Sequence, residues 1–289
     1  MVRVRFAPSP TGPIHIGGVR TALYNYLYKL NKGGKFILRI EDTDGSRRVD
    51  GAEKYIYDVL DYYKIKVGEG PREGGGFGPY RQSERKEIYN KYIDLLIEKG
   101  LAYYCYASKE ELLNAREDKS FSYNSKTRML FKNSLSLNEE ENLSLIKKKK
   151  YVVRLKVESD IELRMTDLLR GDIKVNSNNL EDKILIKGDG LPTYHFANVV
   201  DDYLMKITTI IRGEEWLPSL PIHKLIYDAL GWEMPNTVHL PLILNPSGLG
   251  KLSKRDAIRN NYSIFPIKWE ELDGLKEKGL PADVQLAYI

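Results

Sequence analysis

One cysteine in 289 residues, Cys105, excludes any internal disulfide and fits a reducing, cytoplasmic setting. No apolar run approaches the roughly 20 residues that a membrane-spanning helix needs. The opening Met1-Val2-Arg3-Val4-Arg5-Phe6 alternates like a strand and lacks the apolar core of a signal peptide. Internal repeats and long low-complexity tracts are missing as well, which excludes a repeat architecture. Nor does one sign of charge dominate: 45 Lys and Arg against 40 Asp and Glu leave +5. That balance suits an RNA partner and an ordinary soluble enzyme equally, so charge decides nothing. What is present, 42% hydrophobic and 29% charged residues, is enough for a sizeable core in more than one domain.

The periodicity indicates an α/β fold with a parallel sheet. Val2, Val4 and Phe6 share one strand face, and a turn-rich stretch, Pro8-Ser9-Pro10-Thr11-Gly12-Pro13, follows. From Val19 the spacing changes to that of an amphipathic helix, with Ala22, Leu23, Tyr26, Leu27 and Leu30 as its stripe and Gly33-Gly34 as its stop. Phe36 to Ile40 then reads as a second strand, completing a βαβ unit. A helix is predicted from a cap at Ser83, burying Tyr89, Tyr92, Ile93 and Leu96 and stopping at Gly100. Beyond Cys105 lysine, asparagine and serine accumulate, with strand-like pieces at Tyr151–Val157 and Ile184–Lys187, as expected for an inserted domain. The α/β pattern resumes at Pro192-Thr193-Tyr194-His195, with a strand at Ile207–Ile211 and a helix from Ser219 to Leu230 closed by Gly231. Trp269 to Lys278 looks helical.

Two stretches carry possible chemistry. The turn ending in His15-Ile16-Gly17-Gly18 lies between the first strand and a helix N-terminus. There, ligands bind in parallel sheets, backbone dipoles favour anions, and glycines admit a phosphate or flat ring. The second is Lys251-Leu252-Ser253-Lys254-Arg255 after the loop Pro246 to Gly250, whose cations suit a polyphosphate. Taken alone, each is more often a structural turn or a solvated basic loop. A Walker loop is excluded because Asn245 stands where its first glycine belongs, and a calcium loop because Arg47 stands at its required glycine. Zinc near Cys105 would need neighbouring cysteine or histidine, and none occurs between Ala107 and Gly190.

Together these stretches change the reading. Arg5-Phe6-Ala7-Pro8-Ser9-Pro10-Thr11-Gly12-Pro13-Ile14-His15-Ile16-Gly17-Gly18 resembles the first signature of class I aminoacyl-tRNA synthetases, and Lys251 to Arg255 resembles the second. Between them, Gly78 to Arg85, Tyr194 to Asp202 and Arg212-Gly213-Glu214-Glu215-Trp216 are similar to blocks of the glutamyl-tRNA synthetase family. Ser9 and Gly18 follow the glutamyl pattern; glutaminyl enzymes of the family carry glutamate and histidine there.

The resemblance implies a Rossmann-like catalytic domain that activates glutamate with ATP and passes it to the 3′ end of tRNA(Glu). No protein nucleophile is required, so catalysis is positioning and charge stabilisation. Arg5, Arg212 and Tyr194 would hold the side-chain carboxylate and Glu41 the ammonium group, with Ala7, Ser9 and Asn198 completing the pocket. His15, Gly17, Gly18, Glu215 and Ile243 would contact ATP; Lys254, supported by Lys251 and Ser253, would stabilise the departing pyrophosphate. Magnesium is implied with the ATP. Family members often carry a zinc-binding cysteine cluster near Cys105; with a single thiol left, no zinc is expected.

The implied division is 1–105 and 191–240 for the two catalytic halves, 106–190 for an inserted acceptor-binding α+β domain, and 241–289 for the second-signature loop and the start of a helical stem-contact region. By the resemblance, no anticodon-reading helical domain is expected within these 289 residues. Lys147 to Lys150 is either a phosphate contact or a solvated turn. A monomer without membrane attachment is expected by resemblance. Two rivals stand beside this reading: the shorter paralogue that attaches glutamate to queuosine in tRNA for aspartate, and a non-catalytic RNA-binding descendant. The Lys251–Arg255 loop and the Trp216 block weigh against the first, and the presence of His15 and Lys254 against the second.

Overall fold

The computed structural model describes residues 1–245, 250–252 and 264–268. Ser253, Lys254 and Arg255, and the predicted helix at Trp269–Lys278, lie outside the described residues. The chain opens with β1 (Val2–Phe6), α1 (Ile16–Lys32) and β2 (Gly34–Leu38), and the two strands pair in parallel from Val2↔Gly34 to Phe6↔Leu38. The predicted βαβ unit is therefore present.

Helix α1 starts three residues earlier than the apolar period suggests, because His15 caps it: Nδ1 accepts the Gly17 N–H at 3.0 Å. Its buried line also differs from the expected stripe. Val19, Ala22 and Asn25 are buried, whereas Leu27 and Leu30 are exposed. Asn25 earns its inward position by donating from Nδ2 to the Thr21 and Ile211 carbonyls, at 2.8 and 3.0 Å. That second bond rotates the helix face toward the far strand.

α2 (Ala52–Tyr62) buries Ala52, Ile56, Val59 and Leu60, and α3 (Lys86–Glu98) buries Tyr89, Ile93 and Leu96. Ser83 does not cap α3. Its N–H and hydroxyl both donate to Asp42, at 2.8 and 2.7 Å, so the chain makes a 3-10 turn at Gln82–Arg85 first. β3 (Ala102–Cys105), α4 (Lys109–Ala115), α5 (Glu139–Lys147) and β4 (Val152–Leu155) follow. β5 (Glu162–Asp167) and β6 (Gly171–Asn176) form an antiparallel hairpin, and β7 (Ile184–Ile186) completes an antiparallel sheet with β4 and β3.

α6 (Tyr194–Leu204), β8 (Thr209–Gly213), α7 (Leu220–Leu230) and β9 (Asn236–Leu240) return the chain to parallel α/β order. β8 and β9 pair in parallel from Thr209↔Asn236 to Gly213↔Leu240, and β9 meets β5 at Asp167↔Thr237. Thr208 ties this sheet to β1: its N–H donates to the Arg3 carbonyl and its Oγ1 accepts the Arg3 N–H, both at 2.9 Å. The hairpin β5–β6 thus reaches the sheet that carries β8 and β9.

α6 packs between α3, α7 and β7, with Phe196, Ala197, Val199 and Val200 fully buried. Each large apolar side chain buried this way stabilises the fold by about 1.5–3 kcal/mol. This packing fixes α6 as the wall against which the carboxyl ends of β1 and β8 open.

Candidate active site

A cleft of about 570 Å³ lies at the carboxyl ends of β1 and β8, where ligands of parallel α/β sheets bind. It brings together Arg5, Ala7, Ser9, His15, Gly17, Gly18, Glu41, Tyr194, Asn198, Arg212, Glu215, Ile243 and Lys251, every predicted site residue that the structure describes. Ser253 and Lys254 lie outside the described residues.

One end of the cleft suits a polyphosphate. Because His15 Nδ1 accepts the Gly17 N–H, the ring proton belongs on Nε2. A Cβ on Gly17 would come within 2.6 Å of the His15 ring, so glycine is required by that close approach. The N-terminus of α1 adds the positive end of its helix dipole. Across the cleft, Lys251 Nζ donates to Glu215 Oε1 at 2.6 Å, and the Leu252 N–H bonds the Ile243 carbonyl at 2.8 Å. The first cation of the second-signature stretch is thus anchored beside Glu215.

The other end is built of buried ions. Arg5 donates from Nε and Nη2 to Asp202, at 3.0 to 3.2 Å, and Arg39 Nη1 donates to the same carboxylate at 2.6 Å. Arg39 Nη2 reaches Glu41 Oε1 at 3.1 Å, and Asn198 Nδ2 donates to that oxygen at 3.1 Å. Asp201 takes Arg85 Nε at 2.7 Å, the Tyr89 hydroxyl at 2.8 Å and Gln82 Nε2 at 2.9 Å. Burial would raise the Asp202 carboxyl, but Arg39 and Arg5 hold it below the ordinary carboxylate range. Burial pushes Glu41 up, against the pull of the same two arginines. Asn198 Oδ1 is buried and has no hydrogen-bond partner among the described residues.

Arg212 is held differently. It is 5% exposed, and its partners are all neutral. Nε donates to His239 Nε2 at 3.0 Å, Nη1 to the Tyr194 hydroxyl at 2.8 Å and to His223 Nδ1 at 3.4 Å, and Nη2 to the Trp216 carbonyl at 3.4 Å. Since Nε2 of His239 accepts, its proton sits on Nδ1, which faces Asp167 Oδ2 at 2.7 Å. His223 Nε2 in turn faces His195 Nδ1 at 3.3 Å. All three imidazoles are kept neutral. Burial, with Arg212 beside it, drives His223 well below its ordinary value and His239 below its own despite Asp167. Burial, then Lys183 and Arg212, take His195 down to about 4. Burial pushes the Tyr194 phenol up to about 12, so it keeps its proton to donate.

Sequence reasoning had not assigned roles to Arg39, Asp167, Asp201, Asp202, His223 or His239. Two of the chain's four histidines bond one arginine and a third bonds one of that pair, a grouping visible only after folding.

A parallel α/β cleft with glycines at one end and buried arginines at its floor defines a fold of Rossmann type. Comparison with known proteins takes this further. Residues 1–272 match the family model of tRNA synthetases class I (E and Q), catalytic domain. The glutamate–tRNA ligase of Christiangramia forsetii is 53% identical over 96% of this chain and 57% of its own length; that of Amoebophilus asiaticus is 53% identical over 100% and 59%. A crystal structure of a glutamate–tRNA ligase from Elizabethkingia meningosepticum, in complex with its amino acid, superposes with a TM-score of 0.89 at 50% identity, covering 93% of this chain and 55% of that one. The chain belongs to the class I tRNA synthetases of the E and Q group and matches their catalytic domain. It spans somewhat over half the length of these relatives.

Proposed function

We propose that the protein is a glutamate–tRNA ligase, activating glutamate with ATP to glutamyl-adenylate and transferring it to the 3′ end of tRNA(Glu). One observation carries the choice of an acidic substrate: Arg212 is a buried guanidinium with no carboxylate bonded to it among the described residues. A side-chain carboxylate entering beside it gains a charge-assisted hydrogen bond and the Tyr194 O–H, whereas an amide gains neither the charge nor a second acceptor oxygen. Arg5, ion-paired to Asp202, forms the floor of the pocket. The ammonium group faces Glu41 and Asn198, and Ala7 and Ser9 border the pocket. His15, Gly17, Gly18, Glu215 and Ile243 serve ATP, and Lys251, Ser253 and Lys254 serve the pyrophosphate as it leaves.

The glutamate α-carboxylate attacks the α-phosphorus, pyrophosphate departs, and a terminal ribose hydroxyl then displaces AMP. The chain's contribution is to align these groups and to meet the charge that moves onto the leaving phosphate. Magnesium enters as MgATP, with the phosphate oxygens as its main ligands. We further propose the division 1–105, 106–190, 191–240 and 241–289, with the second segment meeting the acceptor end of tRNA, and a monomeric cytoplasmic enzyme. No described helix is long and apolar enough to cross a membrane.

The test is glutamate-dependent ATP–pyrophosphate exchange, with and without tRNA(Glu). Exchange that requires tRNA, followed by charging, supports the ligase. Exchange without tRNA moves the reading to the queuosine-modifying paralogue, and no exchange in either condition sinks the enzyme reading.

A further inference from the structure

We infer that His223 and His239 form a neutral collar that fixes Arg212 in place while leaving its charge unpaired, and that this collar sets the preference for an acid over an amide. The inference rests on the proposed role of Arg212 and adds residues and a cause to it.

The cleft contains its own internal comparison. Arg5 and Arg212 are both almost fully buried, at 3% and 5% exposure, and both line the same cavity. Arg5 gives three hydrogen bonds to the Asp202 carboxylate, so its charge is compensated before any ligand arrives. Arg212 is oriented just as fully, but by an imidazole at Nε, an imidazole and a phenol at Nη1, and a carbonyl at Nη2. Neutral acceptors satisfy N–H groups and fix the plane of the guanidinium, yet they cancel none of its charge. A second anion would gain little from an arginine already ion-paired, whereas the first anion to reach an unpaired buried arginine gains most.

The collar is itself braced. Asp167 receives both the backbone N–H and Nδ1 of His239, at 3.0 and 2.7 Å. This forces the bare nitrogen toward Arg212. Asp167 is therefore kept one imidazole ring away from the guanidinium, close enough to orient it without pairing with it. Tyr194 packs against the collar, its ring centroid 5.5 Å from that of His223 and 4.3 Å from that of Trp216. The groups that face the collar are Arg212, Arg5, Asp167, Arg170 and His195. These are positioning residues: they act on a ligand through Arg212.

Three variants separate charge from packing. His223→Glu places an anion against Arg212; His239→Leu removes both hydrogen bonds; His239→Gln keeps an acceptor for Arg212 and a donor for Asp167. Two readouts are used: kcat and KM for glutamate in tRNA-dependent pyrophosphate exchange, and thermal stabilisation by glutamate compared with glutamine. H223E is expected to raise the glutamate KM by about 10- to 100-fold, the value of a lost charge-assisted hydrogen bond, and to narrow the gap between glutamate and glutamine. H239L should raise KM with a smaller change in kcat, and H239Q should restore most of the loss. A folded H223E with wild-type KM and wild-type discrimination would overturn the inference. So would H239Q failing as badly as H239L, a comparison that decides the matter even if H223E does not fold. If wild-type protein shows no exchange, the ligase reading fails first. The collar is then judged alone, by whether stabilisation by glutamate over glutamine in wild type disappears in H239L and returns in H239Q. Equal stabilisation by both ligands in wild type would overturn it.

Discussion

Replacing Asp202 with asparagine should destabilise the protein far more than a single-charge, nearly isosteric change ordinarily would. Asp202 is fully buried and accepts from Arg5 and Arg39, which are 3% and 0% exposed. In the variant, two buried guanidiniums share fewer carboxylate oxygens, and the new amide N–H groups face donors. Removing one partner of a buried ion pair costs about 3–5 kcal/mol, because the remaining charge stays buried without compensation. For a chain of this size each kcal/mol corresponds to about 2–4 °C, so the midpoint of thermal unfolding should fall by about 10 °C. The control is Glu162→Gln, which breaks a surface pair to Arg164 whose side chains are 73% and 51% exposed. That pair should matter by less than about 1 kcal/mol. The assay is differential scanning calorimetry of both variants beside wild type at neutral pH. A D202N midpoint within about 2 °C of wild type would refute the claim that this carboxylate neutralises the floor of the cleft.

Acid should destabilise the fold through its histidines. His195, His223 and His239 are held neutral, so the unfolded chain takes up more protons than the native state once pH falls through about 6.5; each contributes a slope of up to about 1.4 kcal/mol per pH unit. Urea titrations between pH 7 and 5 should show the loss, and a flat profile would contradict the collar's neutrality. Glu69 makes two bonds of 2.8 Å to Arg3 and others to Lys35 and Tyr80, which hold its carboxyl down at about 2. Its pKa is lowered on folding, so its contribution, about 3 kcal/mol, is complete above the ordinary value of 4.5 and is lost as pH falls from there toward 2. The Glu69→Gln variant should therefore be less stable than wild type at pH 7, and urea titrations carried below pH 4.5 should show the difference shrinking as pH falls toward 2.

The parts of this molecule legible in sequence are those where local pattern and function coincide. β1, α1 and β2 follow from a change of hydrophobic period within forty residues, and the cleft's lining follows from motifs that the family shares. α6 was not legible, because residues Phe196 to Asp202 are buried without interruption and so show no amphipathic period. Two adjacent aspartates inside it look like a solvated turn until Arg5, Arg39 and Arg85 arrive from elsewhere in the chain to pair with them. The collar was hidden for a related reason. Asp167, Arg212, His223 and His239 come from β5, β8, α7 and β9, and a lone histidine in an apolar helix or strand carries no sign of its partner. Ser83 misled in the opposite direction: a plausible cap by type, it was drawn away by Asp42.

Tyr194, Asn198 and Asp202 are spaced four residues apart on one face of α6; Tyr194 and Asn198 line the cleft, and Asp202 lies buried behind Arg5. Charge changes along this face: Asp202 compensates Arg5 at the floor, Asn198 bonds Glu41 midway, and Tyr194 meets uncompensated Arg212. The middle position has to be neutral. An aspartate at 198 would bring a second carboxylate to about the 3.1 Å that now separates Asn198 Nδ2 from Glu41 Oε1. Two carboxylates that close share a proton, which raises the apparent pKa of the pair, on top of the rise that burial already gives Glu41. In the proposed function Glu41 must be ionised to hold the ammonium group, so affinity is lost as pH falls through its pKa. Asn198→Asp should therefore shift the acid limb of 1/KM for glutamate to higher pH by about 1 unit or more, with Asn198→Gln as the neutral control. An acid limb that stays in place, or moves to lower pH, would show that Glu41 does not hold the substrate's ammonium group, and the division of charge along α6 would lose its functional meaning.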